Sequence, residues 1–318
     1  MNREDIIKKL QEQDSTVMSF PDRGNMWGDS RWRGNTSGYI HAFLMWKYKT
    51  KKLFEVFAGS GTGSDVCKDM GVDYFGVDLF PTRDNIIALD AFKDDVPEEI
   101  YGSDMIFMHP PYSRLINVTY AGSMYPDPTG ELSEADLGQL PWDEFMYRLN
   151  TIVMKYYSAM DSGAYMSMLM GDIRRNKRFY SMILDLVKPG EVQQVIIKKQ
   201  NNCCSDNRIY SNKNFVPIVH EYILVLRKII KSYFLNYQLP VKRQLDIRDS
   251  VSATWADVLK TVLSKFGRAV SVSEIYPEIE GCKKAQNNRF WKEKVRQTLQ
   301  INKCFVSDGR DSWRLAAN

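Results

Sequence analysis

Two stretches of the chain hold residue types whose spacing could do chemistry. The first, Phe57-Ala58-Gly59-Ser60-Gly61-Thr62-Gly63, follows an apolar run and opens a helical pattern. Glycines without Cβ atoms let a turn lay its backbone against a ligand, and a helix starting there offers free N–H donors. Alone the pattern is weak, because G-x-G turns also serve other nucleotides or simply reverse the chain. Asp78 sharpens it. An acidic side chain closing the next strand, about 20 residues on, can accept hydrogen bonds from ribose hydroxyls, a feature dinucleotide enzymes share.

The second stretch is His109-Pro110-Pro111-Tyr112, at the end of the apolar run Met105-Ile106-Phe107-Met108. Two prolines stiffen the exit from a strand and donate no backbone hydrogen bond, so carbonyl oxygens are presented in fixed positions. The side chain at 109 and the Pro110 carbonyl can accept from an exocyclic NH₂, while Tyr112 stacks on a flipped base. The bland alternative is a Pro-Pro turn with Tyr112 merely packing. A neutral imidazole can accept from an amine, whereas imidazolium only donates, so activity through His109 would carry a pH dependence.

These residues need a scaffold. Strand-like runs at 53–57, 74–78, 86–89, 105–108 and 164–170 alternate with helical patterns at 64–70 and 145–160. That order predicts an α/β fold, a mostly parallel sheet covered by helices. Runs at 192–199 and 222–227, separated by polar residues 201–214, predict an antiparallel pair at one edge. Residues 113–142 are expected to form a long loop that orders on substrate. The predicted domains are 1–230, a basic linker at 231–250 that contains Pro240, and 251–318. In the last, Ser252 would cap a helix through Trp255, Val258, Leu259 and Val262, and a second helix would follow at 272–279. A third, at 286–299, would carry Phe290, Trp291, Val295 and Leu299 on its apolar side, and a hairpin from Cys304 to Leu315 would close the unit. Three helices and a hairpin resemble a winged helix, a variant of the helix-turn-helix.

Composition bounds the reading. The chain has 318 residues, 44% hydrophobic and 26% charged, which suits one large globular domain and a small one. Five cysteines without repeated C-x-x-C spacing argue against a disulfide framework and a structural zinc site. No signal peptide or membrane-length apolar run is visible, so the expected setting is cytoplasmic, away from membranes. A net charge of +4 is compatible with a polyanionic partner without proving one.

In their order, the two motifs resemble those of the amino-methylating DNA methyltransferases, the adenine-N6 and cytosine-N4 enzymes. That family carries F-x-G-x-G after its first strand and Asp/Asn/Ser-Pro-Pro-aromatic after its fourth. Arg33-Gly34-Asn35-Thr36-Ser37-Gly38-Tyr39 resembles the segment that such enzymes fold over the methionine carboxylate. Gly171-Asp172-Ile173-Arg174-Arg175 and Phe215-Val216-Pro217-Ile218-Val219-His220-Glu221-Tyr222 resemble segments of a prokaryotic and phage branch. The resemblance spans roughly residues 22–228. It implies a Rossmann-like S-adenosylmethionine-dependent methyltransferase sheet, with S-adenosyl-L-methionine as cofactor and double-stranded DNA as substrate. It also implies restriction-modification or phage DNA modification, in a prokaryotic cell or phage-infected host, with a cognate restriction enzyme as a further partner. The amine would attack the methyl in line, with no covalent intermediate and no metal.

The resemblance assigns Asn35, Thr36, Ser37, Phe57, Ala58, Gly59, Ser60, Gly61, Thr62, Gly63, Asp78 and Leu79 to the cofactor. Asp90, Ala91 and Phe92 fall at its adenine ring, where Phe92 would stack or serve the core. Catalysis goes to His109, Pro110, Pro111 and Tyr112. His109 departs from the family's Asp, Asn or Ser, which leaves a catalytically idle DNA-binding protein as an alternative. Tyr112 leans towards adenine over cytosine. Basic and aromatic residues suited to DNA are Arg174, Arg175, Arg178, Lys199, Arg208 and Tyr210 near the catalytic edge, and Arg289, Lys292 and Arg296 in the C-terminal unit.

Overall fold

The computed structural model describes residues 1–116, 118–201, 216–229, 237–240, 246–250 and 253–316. Cys203, Cys204, Arg208, Tyr210 and Ser252 lie outside the described residues. The chain divides into two units, Met1–Pro240 and Val241–Asn318.

The elements of the first unit run α1 (Arg3–Leu10), β1 (Val17–Met18), α2 (Gly38–Tyr48), β2 (Lys52–Val56), α3 (Thr62–Met70), β3 (Asp73–Asp78), β4 (Ile86–Ala88) and β5 (Met105–Met108). There follow α4 (Glu131–Ala135), α5 (Trp142–Ala159), β6 (Tyr165–Met170), β7 (Asp172–Arg175), β8 (Arg178–Ser181), α6 (Met182–Asp185), β9 (Glu191–Lys199) and β10 (His220–Arg227). Eight strands make one sheet in the order β1-β9-β10-β6-β5-β2-β3-β4. Strands β2 to β6 pair in parallel, and β10 runs antiparallel to both β6 and β9. This is the Rossmann-like sheet that the motifs imply. The chain winds outward from β2 to β4, then returns to β5 and β6 on the other side. The β2–β5 boundary is therefore a topological switch point, where such sheets open a ligand crevice at their carboxyl ends.

Side-chain alternation explains why the central strands are apolar apart from isolated buried polar residues such as Glu55. Phe54, Val56, Ile106 and Met108 face one core with Phe145, Leu149, Ile152, Val153 and Tyr156 of α5, which recur at helical spacing. Leu53, Met105 and Phe107 face the other with Tyr39, Ile40 and Phe43 of α2. Both faces of the sheet are covered, so no polar alternation survives.

The structure departs from expectation in several places. The antiparallel pair is present, but the two-residue β1 continues the sheet beyond it, parallel to β9. The strand read as 53–57 stops at Val56, because Phe57 turns into the left-handed region with φ 65°. Residues 113–142 are not a bare loop. Besides α4 they hold 3₁₀ turns at Arg114–Ile116 and Leu137–Gln139, and the buried Asp136 carboxylate accepts from the backbone N–H groups of Tyr120, Ala121 and Gly138.

The second unit contains α7 (Trp255–Phe266), β11 (Val270–Ser271), α8 (Val272–Glu280), α9 (Lys283–Gln286), α10 (Trp291–Ile301), β12 (Phe305–Ser307) and β13 (Ser312–Leu315). Its sheet has three strands, β11-β13-β12, where a hairpin alone was expected. The helix expected at 286–299 is broken between α9 and α10, and Phe290, expected in the core, is 56% exposed at the break. The α7 cap is Thr254, whose hydroxyl accepts from Asp257 N–H at 3.1 Å while Asp257 accepts from Thr254 N–H at 2.9 Å. Among the described residues no helix is long and apolar enough to cross a membrane.

Losing such a cap costs about 1 kcal/mol, or roughly a fivefold loss of protection. Thr254→Ala should therefore speed exchange of the first α7 amides by about that factor, and hydrogen exchange read by mass spectrometry checks it.

Candidate functional site

At the carboxyl ends of β2, β3, β5 and β6 lies a cavity of about 870 Å³. That is near the upper end of small-ligand sites, roughly 300–1,000 Å³, so it can take more than one small group.

The glycine turn forms one wall. Phe57, Ala58, Gly59, Ser60 and Thr62 line the cavity, but Gly61, Gly63 and Ser37, expected at the cofactor, do not. Gly61 caps α3 with φ 79°, and a Cβ there would stand 2.7 Å from Arg83 Cγ. Gly63 is needed because a Cβ would collide with the Glu55 carboxylate. Ser37 caps α2, accepting from Tyr39 N–H. These three shape the turn from behind.

Asp78 ties strand to turn. Its carboxylate accepts from Gly59 N–H at 2.8 Å and from Phe80 N–H at 3.0 Å. Burial pushes its pKa up to about 6, against those two hydrogen bonds. Leu79, Asp90, Ala91 and Phe92 line the cavity as well, as do Asn35 and Thr36. Asn35 accepts from the Thr62 hydroxyl at 2.6 Å, whereas the buried Thr36 hydroxyl has no partner among the described residues. Trp32 and Tyr125 also line the cavity, and Tyr125 stacks between Trp32 at 5.8 Å and Phe80 at 4.9 Å.

His109, Pro110, Pro111 and Tyr112 all line the cavity too, so both motifs meet there. The His109 and Tyr112 rings meet edge to face at 6.2 Å and 73°. Burial pulls the His109 imidazole down to about 4, against the pull of Glu221 and with help from Lys198. At neutral pH it is an uncharged acceptor. Burial, aided by the Glu221 carboxylate, holds the Tyr112 phenol well above its ordinary range, so it stays a donor.

Of the residues expected at nucleic acid, Arg174 and Arg175 line the cavity, whereas Arg178 and Lys199 do not. Arg174, Arg175 and Arg178 share the β7–β8 hairpin, whose turn places Asn176 and Lys177 in the left-handed region. In the second unit, Arg289 lies over Phe290 at 4.5 Å, Lys292 over Trp291 and Tyr276 at 5.4 Å each, and Arg296 over Tyr276 at 5.9 Å.

Several lining residues escape a reading of motifs: His41, Glu55, Tyr120 and Asp136. His41 Nε2 and Glu55 Oε1 stand 2.8 Å apart, each 3% exposed. Polar residues inside otherwise apolar runs were the available clue.

The donor set fits S-adenosylmethionine. Three carboxylates, Glu55, Asp78 and Asp90, suit a cationic ligand with hydroxyls, Phe57 and Phe92 suit its ring, and the orphaned Thr36 hydroxyl lacks a partner that a ligand could supply.

No protein-family profile and no curated protein matches the chain. Solved structures show weak similarity. TrmN from Thermus thermophilus is 12% identical over 62% of this chain and 50% of its own, with TM-score 0.34. A SAM-dependent methyltransferase from Archaeoglobus fulgidus is 13% identical over 59% of this chain and 93% of its own, with TM-score 0.33. TehB from Haemophilus influenzae is 11% identical over 59% of this chain and 61% of its own, with TM-score 0.36. The aligned region spans only half of TrmN. The chemistry of the cavity, not these likenesses, carries the functional reading.

Gly63→Ala tests the packing behind the turn. Overpacking costs about 1–3 kcal/mol, or roughly 2–10 °C in a unit of this size. Calorimetry should show that drop for Gly63→Ala and none for Gly281→Ala, where a Cβ meets nothing within 4 Å.

Proposed function

We propose that this protein transfers a methyl group from S-adenosylmethionine to the exocyclic amine of a nucleic-acid base, adenine N6 in double-stranded DNA. One observation carries the reading: the glycine turn with its acidic strand end and the His-Pro-Pro-Tyr segment line one cavity at the switch point of the sheet.

The cofactor, when bound, supplies an electrophilic methyl on a sulfonium. Asp78 accepts from the ribose hydroxyls, Phe92 covers the adenine ring, and Thr36 and Asn35 receive the amino-acid end. His109 accepts a hydrogen bond from the target amine and orients its lone pair. The carbonyl of Pro110 takes the second N–H, and the Tyr112 ring lies against the base. Orientation and exclusion of water supply the catalysis. An acceptor-rich lip of this kind selects an NH₂ group over a carbonyl.

For DNA itself, the basic β7–β8 hairpin beside the cavity and the cation–aromatic face of α10 are suited to phosphates. The second unit, with four helices and a three-stranded sheet among the described residues, acts in this reading as a winged-helix DNA-binding domain. A restriction-modification or phage modification role, with a cognate restriction enzyme as partner, completes the proposal.

Transfer of tritiated methyl to unmethylated genomic DNA tests the reading. With saturating cofactor, the wild-type rate should stay flat from pH 8 down to about 5, because His109 charges only near 4. His109→Ala should lose most of the rate with cofactor binding intact, and His109→Asn should keep more of it. An Ala variant as fast as wild type would remove His109 from the mechanism.

Cofactor affinity should follow a different group. Hydroxyl donors favour the ionised carboxylate, so affinity should be full above the Asp78 pKa of about 6 and weaken as pH falls through it. Asp78→Asn should abolish that dependence, and calorimetry at several pH values measures both.

A further inference from the structure

Tyr112 has less freedom than a loop tyrosine ordinarily has. Two prolines stiffen the backbone before it, which leaves its two side-chain torsions to set where the ring lies. Its hydroxyl donates to Glu221 Oε1 at 2.8 Å. The other carboxylate oxygen of Glu221 pairs with the Lys198 ammonium. Lys198 and Glu221 stand directly opposite each other on β9 and β10, so sheet register places the pair. Across the same space, a Cβ on Gly171 would lie 2.9 Å from the Tyr112 hydroxyl. The hydroxyl thus occupies a slot between a missing side chain at the end of β6 and a carboxylate on β10.

Energetics argue that this arrangement does more than stabilise. Glu221 is 7% exposed, and a buried carboxylate carries a desolvation cost that apolar residues of similar volume would avoid. Burial works to raise its pKa, but the Lys198 ammonium and the hydrogen bonds from Lys198 and Tyr112 outweigh that and hold the carboxyl below its ordinary range. It is therefore an ionised acceptor fixed at both oxygens, and it lines the cavity together with His109.

We propose that Glu221 is a positioning residue: held by Lys198, it fixes the Tyr112 hydroxyl and so sets the angle of the ring that receives the substrate base beside His109. This rests on the amino-methyl-transfer reading. It adds a residue that acts on the base site through Tyr112 and leaves the cofactor end alone. Gly171 belongs to the same device, since any side chain there displaces the hydroxyl.

The test uses the full chain, S-adenosylmethionine and unmethylated genomic DNA. Single-turnover methyl transfer should fall about tenfold or more in Glu221→Ala, the scale of a lost hydrogen bond to a charged group. Cofactor affinity should stay within about twofold, because the slot lies away from the glycine turn. Glu221→Gln keeps an acceptor for the hydroxyl and should recover part of the rate. Gly171→Ala, whose backbone accepts alanine, should reproduce the defect without touching Glu221. In a Tyr112→Phe background, Glu221→Gln should change the rate by less than about twofold, since the hydroxyl through which it acts is gone. Additive losses in that double variant, or a Gly171→Ala protein with the wild-type rate, would overturn the proposal.

A second readout needs no turnover. With ¹³Cζ-labelled tyrosine, the Tyr112 resonance, identified by its loss in Tyr112→Phe, should shift in both Glu221→Gln and Gly171→Ala. An unmoved resonance in both refutes the anchoring. A shifted resonance in a protein that methylates no DNA supports the anchoring and refutes the reaction instead.

Discussion

A carboxylate buried inside a parallel sheet is costly unless its oxygens are hydrogen-bonded, and much of the cavity depends on how Glu55 meets that condition. Tyr74 from β3 donates to one oxygen at 2.5 Å, and His41 from α2 reaches the other. Against it α3 carries a glycine in its first turn, since no side chain fits at Gly63. One acidic residue thus ties two strands and two helices at the level where the glycine turn must sit. The Gly59 N–H then lies within reach of Asp78, and this wall of the cavity follows. His41 Nδ1 is buried with no partner among the described residues, and both His41 and Glu55 border the cavity. The network opens onto ligand space and is not sealed in the core.

The parts legible in the sequence were those set by local rules. Strands β2, β3, β5 and β6 show as apolar runs because both faces of the sheet are covered. The order of the two motifs placed the crevice. Helix α2 left no amphipathic trace, because every residue from Gly38 to Met45 is buried. Strand β1 has two residues, too few to show a period. The segment after the His-Pro-Pro-Tyr turn read as structureless because its order comes from a hub, Asp136, that bonds backbone groups and not a repeating pattern.

The site was legible only along the chain. Twelve of the fifteen residues assigned to the cofactor line the cavity, and the three that do not, Ser37, Gly61 and Gly63, serve as caps and clearances. A motif records that glycine is needed without saying whether a ligand or a neighbouring side chain needs it. The pairing of Glu221 with Lys198 was beyond such reading, since only the register of β9 against β10 brings them together and only tertiary packing brings Tyr112 to them. His109 gains its meaning in the same way. Burial turns a residue that would titrate near neutrality into a constant acceptor.

The central claim is that the acceptor lip delivers methyl groups to a base amine. Its most direct test is mass spectrometry of nucleosides digested from the DNA of cells that lack other methyltransferases and express either the wild-type chain or His109→Ala. The account predicts N6-methyladenine in the wild-type sample and a near absence of it in the variant. DNA from wild-type cells without N6-methyladenine or N4-methylcytosine, despite a folded protein that binds S-adenosylmethionine, would contradict it.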